Sequence, residues 1–231
     1  MCGRFTLTRS AAEVAAHFDV DDPAPLDALG PRWNAAPGQA VAAVRATAPG
    51  GESRRVEARP WGLRSRRATA PGPGSLLVNA RAETAARRPT FREAARHRRC
   101  LVPADGFFEW RGARGSREPF HVTLPDGGLF GMAALHDEDD AEPGALVVLT
   151  TPARGPVRAL HDRMPVLVPP SAWAVWLDPT RHDAPAALEA ALSGDAAGSL
   201  VVRPVSRRVN DVAHDDPDCL APPEEPGLPF G

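Results

Sequence analysis

The sequence contains no lysine and no tyrosine, so all 27 of its basic residues are arginine. Together with frequent alanine, glycine and proline, this reads as GC-rich coding and carries no functional signal. Long apolar runs are also absent, which excludes a helix of the ~20 apolar residues that a bilayer requires. The stretch Met1-Cys2-Gly3-Arg4-Phe5-Thr6 lacks an apolar segment followed by a small-residue cleavage site, which argues against secretion. Cysteine is scarce: Cys2, Cys100 and Cys219 lie far apart, cannot all pair, and form no metal-ligand spacing. His182 and His214 carry no motif. The expectation is a reduced, cytoplasmic (nucleoid-associated) monomer with no cofactor, no metal and no membrane partner.

What is present suits one compact domain. A length of 231 residues with 43% hydrophobic content can bury a core without disulfides. The net charge of −2 argues by itself against a nucleic-acid partner, but its distribution is uneven. Residues 45–117 carry 17 arginines against 6 acidic residues, and residues 118–231 carry 7 arginines against 18 acidic residues. Such a chain can present a local cationic surface, unless the two halves neutralise each other in the fold.

Ser10-Ala11-Ala12-Glu13 has the pattern of a capping box and predicts a helix through Phe18. Asp21 to Pro31 is acidic and proline-rich and reads as a loop. Val41–Val44 and Arg54–Trp61 read as strands, and 68–74 as a surface loop. Thr90-Phe91-Arg92-Glu93 repeats the capping pattern and predicts a helix ending near Arg98. Strands follow at Cys100–Val102, Phe107–Arg111, Phe120–Leu124, Leu129–Ala133 and Leu146–Thr151, with helices at Ser171–Leu177 and Ala184–Leu192 and a last strand at Leu200–Val205. Without βαβ alternation, the expected class is α+β, with an antiparallel, barrel-like sheet and short flanking helices in a domain spanning 1–215. Residues 216–231 read as a disordered, acidic, proline-rich tail.

Cys2 is the first chemical candidate. Once Met1 is removed, it offers an α-amine (reference pKa about 8) and a thiol (about 8.5) on adjacent carbons. The amine attacks an aldehyde to give an imine, and the neighbouring thiol can add to that imine to close a five-membered thiazolidine.

Its company extends the reading. Met1-Cys2-Gly3-Arg4-Phe5, Trp33-Asn34-Ala35-Ala36-Pro37-Gly38-Gln39, Trp61-Gly62-Leu63, Asn79-Ala80-Arg81-Ala82-Glu83-Thr84, the run from Cys100 to Trp110, and Leu160-His161-Asp162-Arg163-Met164-Pro165 occur in this order. The set resembles the SOS-response-associated peptidase family, whose members are also described as abasic-site processing proteins. The resemblance covers roughly residues 1–210. It implies removal of Met1 and a thiazolidine cross-link from Cys2 to an abasic site in single-stranded or junction DNA. By motif position, Asn79, Glu109 and His161 would line the site with Cys2, while Arg4, Asn34, Trp61, Arg81 and Ser206 would contact DNA. In the family the Trp61-Gly62-Leu63 block usually continues with a proline and a second tryptophan. Here it continues Arg64-Ser65-Arg66-Arg67, which puts the geometry of strand separation in doubt.

These roles fit the residue types. In a strand, Glu109 shares a face with Phe107, where desolvation would raise its pKa toward neutrality and suit it to proton transfer. His161 can move a proton or hold a sugar hydroxyl, and the Asn79 amide can hold the Cys2 amine or the opened sugar. Arg81 can grip phosphate, and Trp33 and Trp61 can stack on bases, although an isolated tryptophan is more often core. The chemistry is lyase-like, through a Schiff base, with any proteolysis confined to release of Met1. Two rivals remain at the level of sequence: an N-terminal-nucleophile amidohydrolase, and a non-catalytic single-strand binder in which Cys2 is incidental.

Overall fold

The Ser10 hydroxyl accepts from Glu13 N–H at 3.3 Å, and the Glu13 carboxylate accepts from Ser10 N–H at 2.9 Å. This reciprocal cap opens the first helix where the sequence places it. The structure, a computed structural model, describes residues 2–64, 76–112, 117–137, 144–194 and 198–224. Its early strands are β1 (Phe5–Leu7), β2 (Arg32–Ala35), β3 (Ala40–Ala46), β4 (Arg54–Pro60), β5 (Leu63–Arg64), β6 (Leu76–Leu77) and β7 (Asn79–Arg81). The later ones are β8 (Arg99–Ala104), β9 (Gly106–Arg111), β10 (Glu118–Thr123), β11 (Phe130–His136), β12 (Leu146–Pro152), β13 (Arg163–Pro165), β14 (Leu167–Val168) and β15 (Val201–Pro204). The helices are α1 (Ala11–Phe18), α2 (Ala24–Leu29), α3 (Ala82–Ala85), α4 (Arg92–His97), α5 (Trp173–Leu177) and α6 (Ala184–Leu192).

The class is α+β, and all but one of the strand pairs are antiparallel. Among the described residues there is no single closed barrel. One sheet runs β15-β10-β9-β1-β2, and a larger one runs β13-β12-β11-β8-β3-β4. On the larger sheet β14 pairs with β11, while β7 lies parallel to β12. Every residue of β8 and β11 is buried, as expected for central strands covered on both faces. The chain leaves the larger sheet at the end of β8, turns at Asp105, and enters the smaller sheet as β9, so one corner joins the two halves of the core. No helix among the described residues is long and apolar enough to cross a membrane.

Local differences from expectation have local causes. The stretch Asp21–Pro31 contains α2, because Pro23 and Pro25 sit at its start, where a missing N–H costs no helical bond. The box predicted at Thr90 does not form. The helix is present, but its N-cap is Phe91, with no side-chain cap bond. The predicted tail starts at Asp216, yet Pro217–Leu220 make a 3-10 turn and Cys219 is buried against Phe108, Val205 and Val209. Residues 225–231 and the predicted loop 68–74 lie outside the described residues.

Arg99 fixes the packing of helices on the larger sheet. Its guanidinium is buried and donates to five carbonyls: Trp176 O at 2.6 Å, Arg96 O and Asp178 O at 2.7 Å, and Ala95 O and Arg181 O at 2.9 Å. Four of them belong to the last turns of α4 and α5 or to the residue just past α5, where helices present carbonyls and negative potential. Burial pushes the guanidinium down to about 10, still charged at neutral pH. Arg99→Met is expected to destabilise the fold by roughly 3–5 kcal/mol, the scale for stranding buried polar groups. Urea denaturation of the two proteins measures it, and a loss below about 1 kcal/mol would show that water replaces the guanidinium.

Candidate active site at the amino-terminal strand

Strand β1 is short and internal to its sheet. Phe5 pairs with Ala35 on one side and Phe107 on the other, and Thr6 pairs with Gly106. Just before the strand, Arg4 O accepts from Phe108 N–H at 3.0 Å. Carried toward the terminus, this antiparallel register brings Gly3 level with Glu109. Both residues line a cleft of about 630 Å³, together with Trp110, Arg117, His161 and Asn210.

Cys2 is fully buried, with its Sγ 3.9 Å from Arg4 O. Burial, reinforced by the nearby Glu109 charge, drives the thiol far above its ordinary range. The resting side chain is therefore a neutral thiol, not the partly ionised group that free cysteine would offer. Asn79, at the start of β7, donates from Nδ2 to Cys2 O at 2.7 Å. Its Oδ1 is buried and has no hydrogen-bond partner among the described residues.

Glu109 lies on β9 beside fully buried Phe107 and Phe108, and is itself 2% exposed. Burial pushes its carboxyl up to about 7, against the opposing charge of the chain's amino terminus. His161 follows a 3-10 turn, and its backbone N–H donates to Val157 O at 3.0 Å. Two neighbours compete for its Nδ1: the Arg163 N–H at 2.9 Å and an Asp162 carboxylate oxygen at 2.7 Å. The first needs a bare nitrogen and the second a protonated one. Burial lowers the imidazole pKa and Asp162 is mostly exposed, so the neutral ring accepting from Arg163 is the better description.

Thus Cys2, Asn79, Glu109 and His161, drawn from four distant motifs, meet around the amino terminus. The residues expected to touch DNA divide differently. Arg4 lines the cleft, but donates to Asn34 Oδ1 and Val209 O, both at 2.7 Å, with its guanidinium 5.8 Å from the Trp110 ring centre. Asn34 is buried and donates to the carbonyls of Val209, Asp211 and His214. Trp61 is also buried, packed on Phe5 at 5.3 Å, with its indole N–H on Val78 O at 2.9 Å. Neither presents a contact surface: their polar atoms are used inside the fold. Arg81 is exposed at the end of β7. Ser206 is half-buried, caps a 3-10 turn, and borders a second cleft with Arg111 and Arg207.

Two features were missed by sequence reasoning. Trp110, and not Trp61, is the indole at the cleft, and its position beside Glu109 was the available signal. Arg163 spans from β13 to α3, holding Glu83 through bonds of 2.6 and 2.9 Å, and so ties the His161 turn to the segment carrying Asn79. The arginine surplus is partly consumed. Arg45, Arg55 and Arg59 share Glu57, Arg54 donates to Phe18 O and Gly51 O, and Arg99 is internal. Residues 65–67 of the divergent arginine run lie outside the described residues.

Comparison with known proteins places this geometry in context. A family model described as SOS response associated peptidase matches residues 1–212. The chain is 30% identical over 225 residues to the abasic site processing protein YoqW of Bacillus subtilis, covering 95% of this chain and 99% of that protein. It is 30% identical over 235 residues to the abasic site processing protein YedK of Escherichia coli, covering 96% of this chain and all of that protein. A crystal structure of a protein from Bacteroides thetaiotaomicron shares the fold, with a TM-score of 0.76 at 20% identity, over 96% of this chain and 99% of that one.

The raised Glu109 pKa carries a stability consequence. The folded chain holds this proton more tightly than the unfolded chain, so stability falls as pH rises from the ordinary carboxyl value of about 4.3 to about 7. Above that window the full cost of burying the charge remains. Glu109→Gln is therefore expected to be more stable than wild type at pH 8, by an amount on the order of 3 kcal/mol, with the difference vanishing near pH 4. Denaturant titrations at the two pH values test the sign; equal stability at pH 8 would place the carboxylate in water.

Proposed function

This chain belongs to the SOS response associated peptidase family, and from that premise we propose that it binds single-stranded or junction DNA at abasic sites and captures the lesion covalently through Cys2. The observation that carries this reading is that Asn79 bonds the carbonyl of Cys2, while Gly3, the next residue, lines one cleft with Glu109 and His161. Relatives over nearly the whole length of the chain bear the name abasic site processing protein, which supports the substrate class.

The steps follow from the groups present. Removal of Met1 frees the Cys2 α-amine, and this release is the only proteolysis the reading needs. Protonated Glu109 gives its proton to the ring oxygen of the closed sugar, its carboxylate takes the proton of the C1 hydroxyl, and the sugar opens to its aldehyde. The amine lone pair attacks the aldehyde carbon, forming a carbinolamine. Loss of the hydroxyl as water, with a proton from Glu109, leaves a protonated imine and a Glu109 carboxylate. The thiol then adds to the protonated imine carbon through sulfur, its proton passing to the Glu109 carboxylate, and the thiazolidine closes.

A carboxyl near pH 7 is populated in both states, which a group that alternately gives and takes a proton requires. The neutral Cys2 thiol makes such a base necessary. Asn79 Oδ1 stands open as an acceptor for the new amine or a sugar hydroxyl. His161, neutral and beside the cleft, can hold the opened sugar, while exposed Arg81 grips phosphate. Nothing in the arrangement calls for base-edge readout, as suits a lesion that has lost its base.

Cys2→Ala and Cys2→Ser are expected to abolish the stable adduct while retaining single-strand affinity, because neither side chain can close the sulfur ring. Intact-mass measurement after mixing with an abasic oligonucleotide reads the outcome. An undiminished adduct from Cys2→Ala would move the nucleophile elsewhere. If the amide-cleaving rival held, wild type itself would show no lasting mass increase.

Arg81→Ala is expected to weaken binding alike on unrelated sequences and to reduce the slope of log affinity against log salt by about 0.7, the contribution of one single-strand phosphate. Salt titrations on two oligonucleotides decide it. A loss confined to one of them would make Arg81 a base contact.

A further inference from the structure

Strand β1 is held by a second set of contacts that the chemistry above does not use. The Thr6 hydroxyl donates to Asp105 Oδ1 at 2.5 Å. The other oxygen of that carboxylate accepts from Thr8 N–H and Thr8 O–H, both at 2.6 Å. Thr6 Oγ1 also lies 3.0 Å from His121 Nε2. Because the hydroxyl proton is committed to the carboxylate, the threonine oxygen must accept, and Nε2 carries the imidazole proton. Burial pulls His121 down to about 4, so the ring is neutral at pH 7 and has a single N–H to give. The chain of bonds therefore runs in one direction, from His121 through Thr6 to Asp105.

The tie spans three strands. His121 sits on β10 and Thr6 on β1, with β9 between them. The imidazole reaches across β9 at Gly106, the residue directly opposite Thr6. A Cβ at position 106 would lie 2.0 Å from His121 Nε2, so only glycine leaves the passage open. Asp105 is also the corner joining β8 to β9, and its own N–H donates to Thr6 O at 3.0 Å. Strand β1 has only three residues of ladder to fix its register. A slip of one residue would turn every side chain near the terminus, Cys2 included, to the opposite face.

We infer that Thr6 and His121, bonded to each other and anchored by Thr6 to Asp105, are positioning residues for Cys2: the tie over Gly106 locks the register of the amino-terminal strand against the strand carrying Glu109. The inference rests on the covalent capture proposed above. It predicts a defect in the bonded step, with DNA docking preserved, because all three side chains lie away from the cleft.

The test compares wild type, Thr6→Ser, Thr6→Val and His121→Phe in the mature chain. Single-turnover adduct formation is followed across concentrations of an abasic single-stranded oligonucleotide, alongside affinity for an oligonucleotide bearing a non-reactive tetrahydrofuran site. Circular dichroism fixes the folded fraction at the assay temperature. The expected result is at least a tenfold fall in the saturating rate for Thr6→Val and His121→Phe, with unchanged half-saturation and analogue affinity, and near-complete retention by Thr6→Ser. His121→Phe keeps an aromatic ring against Phe108, so it carries the test if Thr6→Val does not fold. A rate loss matching only the unfolded fraction, a loss in affinity with a normal saturating rate, or Thr6→Ser failing as badly as valine would overturn the inference. A wild-type chain that forms no adduct would overturn the capture reading and this inference together, whereas reactive wild type with unimpaired variants overturns this inference alone.

Discussion

Much of this structure depends on the insertion of a three-residue strand, Phe5–Leu7, between two partners in the smaller sheet. Chain termini usually fray, because their backbone groups gain little from ordering. Here the terminus is internal to a sheet, so its N–H and C=O groups pair on both sides and residue 2 is carried into the interior. Glu109 is positioned by the same ladder, one strand away. The neighbouring larger sheet supplies Asn79, and the turn entering β13 supplies His161. A loosened β1 would leave each of these side chains in place and remove the group they surround.

Burial then sets the electrostatics, and it acts on Cys2 and Glu109 together. Low polarity raises both pKa values, keeping the thiol neutral and leaving the carboxyl poised near 7. A neutral thiol is a poor nucleophile until a base takes its proton, and in the proposed capture the poised carboxyl is that base. The site is thus at rest until a substrate arrives, which suits the lasting bond proposed for Cys2.

Arginine stands in place of lysine throughout this sequence, and the fold uses it in two ways. Arg99, Arg59 and Arg54 serve as internal donors, bridging carbonyls that helices and loops leave open. A guanidinium suits this work, since its several N–H groups lie in one plane and reach several acceptors at once. Arg81, Arg111 and Arg117 remain exposed. The cationic excess of residues 45–117 therefore overstates the charge available to a polyanion, as internal neutralisation would have it, without removing that charge.

By itself the sequence determined the elements with strong local signals. The cap at Ser10, the apolar runs of β8, β9, β11 and β12, and the helices α5 and α6 follow from patterning and turn chemistry within a few residues. Motif order carried the family, and with it Glu109 and His161 at the cleft and the pairing of Asn79 with Cys2. Only the tertiary structure decided the rest. Strands as short as β1, β2 and β7 have no period of their own to read and exist because longer neighbours offer edges. Trp61 and Asn34 were expected at the DNA surface, but whether an indole or an amide faces solvent depends on what packs over it, and both are buried. The His121–Thr6–Asp105 tie joins residues 115 and 99 positions apart through a gap left by a glycine. Sequence spacing cannot show such contacts, because the register between strands is set by the whole sheet and not by any one of them.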